Sequence, residues 1–238
     1  DKFGSDEFKN MAYLSAAESI TLLKNQNDIL PMQKGMKILV CGPNANNMRC
    51  LNGAWSYSWQ GELTDQFASE HNTILEAMQI KFGKENIDFV EGVKYKEGGQ
   101  YYDMLEKNIG DAVKAASKSD IVLLCLGETS YTEKPGDIND ITLHELQLKL
   151  AKEIVKSGKP IVLVLNQGRP RLITSIEQQM GAIVNIYLPG NYGADALADI
   201  LIGNVNPSGK LPFTYPAYAN SLNPYNYKPS EVQNNAQG

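Results

Sequence analysis

Three stretches of the sequence are apolar almost without interruption: DIVLLCLG (120–127), PIVLVLN (160–166) and AIVNIYLPG (182–190). A strand with one wet face alternates apolar and polar residues, and these do not. Both of their faces must be covered, as in a parallel sheet packed between helices. KILVCG (37–42) repeats the pattern, and IDFVEG (87–92) does so more weakly. Segments with helical character lie between them. NTILEAMQIKFG (72–83) and YYDMLEKNIGDAVKAASKS (101–119) precede strands, and YGADALADILIG (192–203) follows one. TLHELQLKLAKEIVKSG (142–158) carries Leu143, Leu146, Leu150 and Ile154 on one stripe. Thr142 and Glu145 have the spacing of a capping box, and Gly158 is placed to end the helix. An opening helix is expected through MAYLSAAESITLLKN (11–25). The expected class is therefore α/β: a mostly parallel sheet of about five to six strands with helices on both faces, a three-layer sandwich.

The chain has 238 residues, 42% of them hydrophobic, enough for one large domain with a full core. Residues 1–215 read as that domain. The Tyr-, Asn- and Pro-rich stretch 216–238 has no periodicity and reads as an extended tail or linker. A formal charge of −5 with no basic block argues against a nucleic-acid partner. No apolar run approaches the roughly 20 residues of a membrane span. The polar opening DKFGSDEFKN is not a secretory leader, which leaves the compartment open. Cys41 and Cys125 lie in strand-like runs and read as free buried thiols; Cys50 is expected in a loop. No CxxC occurs, and His71 and His144 are far in sequence from the cysteines, so neither a metal nor a cofactor is expected.

In sheets of this class ligands meet the loops at the carboxyl ends of the strands. Here those loops are GPNANNMRCLNGAWSYSWQG (42–61), GETSYTEKPGD (127–137), NQGRP (166–170) and PGNYG (189–193). The second places Glu128, Glu133 and Asp137 directly after a buried strand. Glycosidic cleavage needs one carboxylic acid to protonate the leaving oxygen and a second carboxylate across the sugar. Three solvated acids on a turn are the commoner explanation on composition alone. The first loop holds both tryptophans of the chain, Trp55 and Trp59, with Tyr57 between them. Indoles in such a loop stack on a sugar, meet another domain or plug the loop from inside; the first two fit better than the plug. CGPNANN matches neither G-x-G-x-x-G nor a P-loop, which makes a nucleotide site the weaker reading. G-x-S-x-G is absent.

Taken together, AAESITLLKNQNDILPM, GAWSYSWQG, GETSYTEKPGDINDITL, VLVLNQGRP and LPGNYGADALADILIGNVNPSGKLPFTYP resemble the second, α/β-sandwich domain of glycoside hydrolase family 3. This is the β-glucosidase and exo-β-glucanase group, and the resemblance runs in order through nearly the whole chain. It implies a retaining enzyme that removes terminal β-linked glucose from a β-glucoside or oligosaccharide. It also implies a preceding barrel domain, absent from this chain, that carries an Asp nucleophile. The family pattern G-E-x-x-Y-x-E-x-x-G-D falls on Gly127, Glu128, Tyr131, Glu133, Gly136 and Asp137. The acid/base role then falls on Glu133, with Glu128, Tyr131 and Asp137 supporting the loop. Trp55 and Trp59 match the paired tryptophans that wall the leaving-sugar site. Arg169 and Arg171 match only loosely and receive no catalytic role. A fibronectin-like domain often follows in the family, and a periplasmic or secreted setting fits it better than a cytoplasmic one. The competing class is a stand-alone binding module of the same fold without chemistry.

Overall fold

The computed structural model describes residues 4–220. Helix α1 (Asp6–Ser19) opens the chain and is followed by strands β1 (Thr21–Asn25) and β2 (Ile38–Cys41). Two short helices, α2 (Met48–Asn52) and α3 (Thr64–Phe67), interrupt the long loop after β2. Helix α4 (Ile74–Phe82) leads to β3 (Ile87–Val90), then to the strand pair β4 (Val93–Tyr95) and β5 (Met104–Glu106). Helix α5 (Ile109–Lys118), β6 (Ile121–Gly127), α6 (Glu145–Val155), β7 (Ile161–Asn166), α7 (Thr174–Glu177), β8 (Ala182–Asn185) and α8 (Gly193–Ile202) complete the described chain.

The main sheet has six strands in the order β1-β8-β7-β6-β2-β3. All neighbours are parallel except β1, which runs antiparallel to β8 at the edge. The uninterrupted apolar runs have the expected cause. Ile121, Leu123 and Cys125 of β6 face a core with α1, α4 and α8, while Val122, Leu124 and Leu126 face a second core with α5, α6 and α7. Each face buries alternate residues, so no position along β6 is left for water.

Three elements differ from the sequence reading. The opening helix ends at Ser19, and Ile20–Asn25 turns away to form β1. Ser19 donates its hydroxyl to the Ala16 carbonyl (2.9 Å), and β1 pairs with β8 from Thr21 opposite Asn185 to Asn25 opposite Ala182. The stretch 101–119 is not one helix: Met104–Glu106 pairs antiparallel with Val93–Tyr95, and Asn108 accepts from the Gly92 amide (2.9 Å) at the hairpin base. Cys50 is not in a loop but buried on α2, which Asn47 caps by accepting from the Cys50 amide. All three cysteines are free and buried. Of the expected tail, residues 221–238 lie outside the described residues.

The strand order places the functional edge. From β2 the chain goes outward to β3, and when it returns as β6 it lies on the other side of β2. The order therefore reverses between β2 and β6, where an open α/β sheet forms its crevice. The loop after β2 holds the tryptophans and the loop after β6 holds the acids, so the topology makes them neighbours. At that edge β6 and β7 approach closely. Gly127 has φ +148°, and a Cβ on it would lie 1.9 Å from the Asn166 carbonyl oxygen. Gly127→Ala is expected to lower stability by at least about 2 kcal/mol, since neither backbone can yield without breaking the ladder. Gly110→Ala is the matched control: its Cβ meets nothing within 4 Å on the exposed face of α5, so the urea midpoint should hold or rise.

Candidate active site

The crevice floor is a set of buried amides. Asn44, in the loop after β2, donates Nδ2 to the Glu128 carbonyl (3.1 Å) and to Asn166 Oδ1 (3.1 Å). Its Oδ1 accepts from the Tyr95 hydroxyl (2.9 Å), and Asn166 donates to the Tyr187 carbonyl (2.8 Å). Gln147 of α6 reaches up from the other face and takes both polar groups of Gly127, accepting from its N–H and donating to its C=O at 2.8 Å each. Polar strand ends that the sheet cannot pair are thus satisfied by side chains.

The acidic loop then divides its carboxylates. Glu128 turns inward and is 6% exposed. Its Oε1 accepts from Arg169 Nε (3.2 Å) and Nη2 (3.1 Å) and from Arg171 Nη1 (2.9 Å), and Oε2 accepts from the Tyr131 hydroxyl (2.9 Å). The Arg169 guanidinium also lies 4.1 Å over the Tyr131 ring and donates to the Gly136 carbonyl (2.6 Å). Burial raises the Tyr131 phenol well above its usual range, and the Glu128 charge adds to it. Burial works against the Arg169 charge, but the Glu128 charge and hydrogen bond, together with Tyr131 and Tyr101, raise its pKa on balance. Arg171 is held in turn from behind: the Tyr215 hydroxyl donates to its carbonyl (2.6 Å).

Glu133 is the opposite case. It is exposed, its φ is +56°, and its carboxylate makes no hydrogen bond or ion pair among the described residues. Asp137 is also exposed and lines a separate cavity of about 340 Å³ with Tyr101, Tyr102, Glu128, His144 and Arg171. Glu128 and Asp137 thus border one cavity, Glu128 from its buried side, while Glu133 lies outside its lining and is exposed on the loop. Trp55 and Trp59 are 68% and 46% exposed, which removes the buried-plug reading. The Trp55 amide donates to the Trp59 carbonyl (3.0 Å), and Tyr57 between them stacks on Phe67 at 5.6 Å. Arg49 of α2 bridges the two loops, donating Nε to the Ser130 hydroxyl and Nη2 to the Gln60 carbonyl (3.3 Å). Among the described residues no group of three or more His, Cys, Asp or Glu side chains is placed to hold a metal ion.

Sequence reasoning undervalued Arg169 and Arg171, which carry the charge opposite Glu128. Two arginines flanking one proline, one strand downstream of a strand-terminal Glu, was the available signal. It also misplaced the helix cap. Thr142 does not cap α6; its amide donates to Asp140 Oδ1 (2.7 Å), and it sits in a bridge with Leu172. The cap is His144, whose Nδ1 accepts from the Leu146 amide (3.1 Å).

With this geometry in place, the relatives of the chain can be identified. The model of the glycosyl hydrolase family 3 C-terminal domain matches residues 20–237, and the chain belongs to this family as that domain. The lysosomal beta glucosidase of Dictyostelium discoideum is 37% identical over 236 residues, covering 97% of this chain and 28% of that protein. A beta-xylosidase of Formosa agariphila is 32% identical over 216 residues, covering 90% and 29%. A crystal structure of the beta-glucosidase from Listeria innocua with glucose superposes with a TM-score of 0.76 at 28% identity, over 90% of this chain and 28% of that one. The chain spans under a third of the length of these relatives.

The His144 cap gives a pH-dependent test. Burial lowers the imidazole pKa below its usual 6.5; Arg171 adds to this, while Glu145 and Asp103 oppose it. A histidine whose folded pKa is depressed binds fewer protons folded than unfolded. Its contribution is complete above about 6.5 and declines as pH falls toward the folded value. Protonation also removes the Nδ1 acceptor that caps α6. His144→Ala should cost about 1 kcal/mol at pH 8. His144→Asn, which keeps an acceptor at the cap, should flatten the loss of stability between pH 7 and pH 5. Chemical denaturation at the two pH values reads both effects.

Proposed function

We propose that this domain supplies the acid/base carboxylate and the leaving-sugar wall of a retaining β-glycosidase whose nucleophile lies on a separate, preceding barrel domain. The observation that carries the reading is the loop after β6. Its backbone is anchored and Glu128 is fully engaged, while the Glu133 carboxylate stands exposed and unpaired on a loop that Arg49 and Gln60 tie to the loop of the two exposed indoles. A residue that must give up and take back a proton at a substrate oxygen needs an anchored backbone and an uncommitted carboxyl group. On this reading residues 1–215 form the domain and 216–238 lead out of it. Glu128, Tyr131 and Asp137 support the loop, with Glu128 as its internal tie.

The reaction follows from two carboxylates of different duty. In the first step the protonated Glu133 gives its proton to the glycosidic oxygen as the bond from that oxygen to the anomeric carbon breaks. The barrel's nucleophile bonds to that carbon, and the leaving sugar departs as an alcohol across Trp55 and Trp59. In the second step the Glu133 carboxylate takes a proton from water as the water oxygen attacks the anomeric carbon and releases the nucleophile. The proposed substrate is a terminal β-linked glucose or a related sugar. Selection of the terminal sugar falls to the barrel, in keeping with similarity to proteins named for both glucosidase and xylosidase activity. A periplasmic or secreted setting fits this role.

Glu133→Gln in the full-length protein tests the assignment. A sugar alkoxide cannot leave without a proton, whereas a dinitrophenolate can. Hydrolysis of a cellobiose-like substrate should fall by about 100-fold or more, while the first step on a dinitrophenyl β-glucoside should be nearly unchanged. The second step still lacks its base, so the glycosyl-enzyme should accumulate, and azide should restore turnover as the β-glycosyl azide. Glu128→Gln should show no azide rescue. It should instead lose about 3 kcal/mol of stability, because two guanidiniums are left without their counter-ion. Azide rescue of Glu128→Gln and not of Glu133→Gln would reverse the two assignments.

The isolated 238-residue chain should fold, since both sheet faces are covered by its own helices. It holds one of the two carboxylates the proposed reaction needs, so aryl β-glucoside turnover should equal that of its Glu133→Gln control. Turnover above that control would overturn the two-domain reading.

A further inference from the structure

Glu133 sits in the left-handed region at φ +56°, a conformation that costs about 1–3 kcal/mol for a residue with a side chain. Such a backbone persists only where its neighbours over-determine it, and here it is gripped on both sides. On the far side, Arg169 Nη1 (2.6 Å) and the Tyr101 hydroxyl (3.4 Å) donate to the Gly136 carbonyl, and the Gly136 amide donates back to the Glu133 carbonyl (2.8 Å). On the near side the grip comes from the other loop. Gln60 Oε1 accepts from the Thr132 amide (2.9 Å), and Gln60 Nε2 donates to the Thr132 carbonyl (3.2 Å).

One side-chain amide thus pairs with both polar groups of the residue before Glu133, as a neighbouring strand would. The pairing fixes the amide's orientation, since the reversed amide would set donor against donor and acceptor against acceptor. Gln60 is itself held, because its carbonyl accepts from the Ser130 hydroxyl (2.5 Å) and from Arg49 Nη2 (3.3 Å). The next residue, Gly61, has φ +73°, and a Cβ there would lie 2.8 Å from Ser130 Oγ, so the loops can meet this closely only around a glycine. Gln60 directly follows Trp59 as Glu133 directly follows Thr132. The clamp therefore locks the indole loop and the carboxylate loop together one residue from each functional side chain.

We infer that Gln60 is a positioning residue for the acid/base step: through Thr132 it holds Glu133 at the leaving oxygen, in register with Trp59. This rests on the acid/base reading of Glu133 given above. Gln60 touches neither the reacting atoms nor the Glu133 carboxylate. Its effect should therefore appear only where proton delivery limits the rate.

In the full-length protein, Gln60→Met keeps the side-chain length and removes both amide bonds. Its kcat/KM for a cellobiose-like substrate should fall on the order of tenfold to a hundredfold, the size expected for a misplaced catalytic group. For a dinitrophenyl β-glucoside, kcat/KM should stay within about threefold, because that leaving group needs no proton. If Gln60→Met does not fold, Gln60→Glu carries the test. It keeps the acceptor for the Thr132 amide and loses the donor, and should show the same contrast at smaller size. An equal fall on both substrates, or no fall on either, overturns the inference and leaves the role of Glu133 standing. If Glu133→Gln itself fails to separate the two substrates, the acid/base reading falls and this inference falls with it.

Discussion

A carboxylate taken out of water at the end of a central strand is costly, and this fold places one there. Glu128 follows β6 directly and is held between Arg169 and Arg171. Removing either sign from such a cluster leaves an uncompensated buried charge, an effect of several kcal/mol. The cluster therefore dictates where three loops lie. The loop after β6 must turn inward at Glu128 before it turns out again. The loop after β7 must bring both arginines up to it. The chain after α8 must pass close enough for Tyr215 to hold the Arg171 carbonyl and bond to Gln167. With Glu128 and Tyr131 spent on this interior work, Glu133 is the glutamate of the loop left facing outward.

The strands legible in the sequence were those whose environment leaves no choice. β6 and β7 are buried residue by residue on both faces, and only an unbroken apolar run satisfies that. β1 was not legible for the converse reason. At the sheet edge its burial is partial, and ITLLKN suits a partly buried edge strand or the end of an amphipathic helix equally well. What selects the strand is pairing with β8, more than 150 residues away. The α6 cap failed more narrowly. Thr142 and Glu145 carry the right spacing, but Asp140 and Leu172 engage the residues around Thr142 first, and the helix begins after His144.

Site residues divide along the same line. Trp55 and Trp59 stand out as the chain's two indoles in one polar loop, whereas Glu133 is one of three acids in its loop and only the family pattern sets it apart as a candidate. Arg169 and Arg171 could not be ranked, because their meaning depends on which way Glu128 turns. Gln60 was least legible of all. Its partners are the N–H and C=O of Thr132, groups that every residue but proline presents alike, so no side-chain pattern in the acidic loop announces the contact. Contacts between a side chain and a distant backbone leave a mark on only one of the two segments they join.

The arrangement also bears on why the chemistry would be divided between two domains. Trp55, Tyr57, Trp59, Leu63 and Phe67 form an exposed apolar group on one loop system, each more than 40% accessible. A surface of that kind is expensive in water unless something covers it. Yet the loop is not slack: Tyr57 stacks on Phe67 and accepts from Asn191 Nδ2 (2.8 Å), and Arg49 and Gln60 tie the loop to the acidic one. Its order is therefore set within this domain and does not wait for a partner. On the proposed reading, a barrel approaching this edge would meet indoles and a carboxylate already held in mutual register. Docking would then add the nucleophile and exclude water without having to order the acid/base loop, which is the entropic advantage of a preorganised half-site.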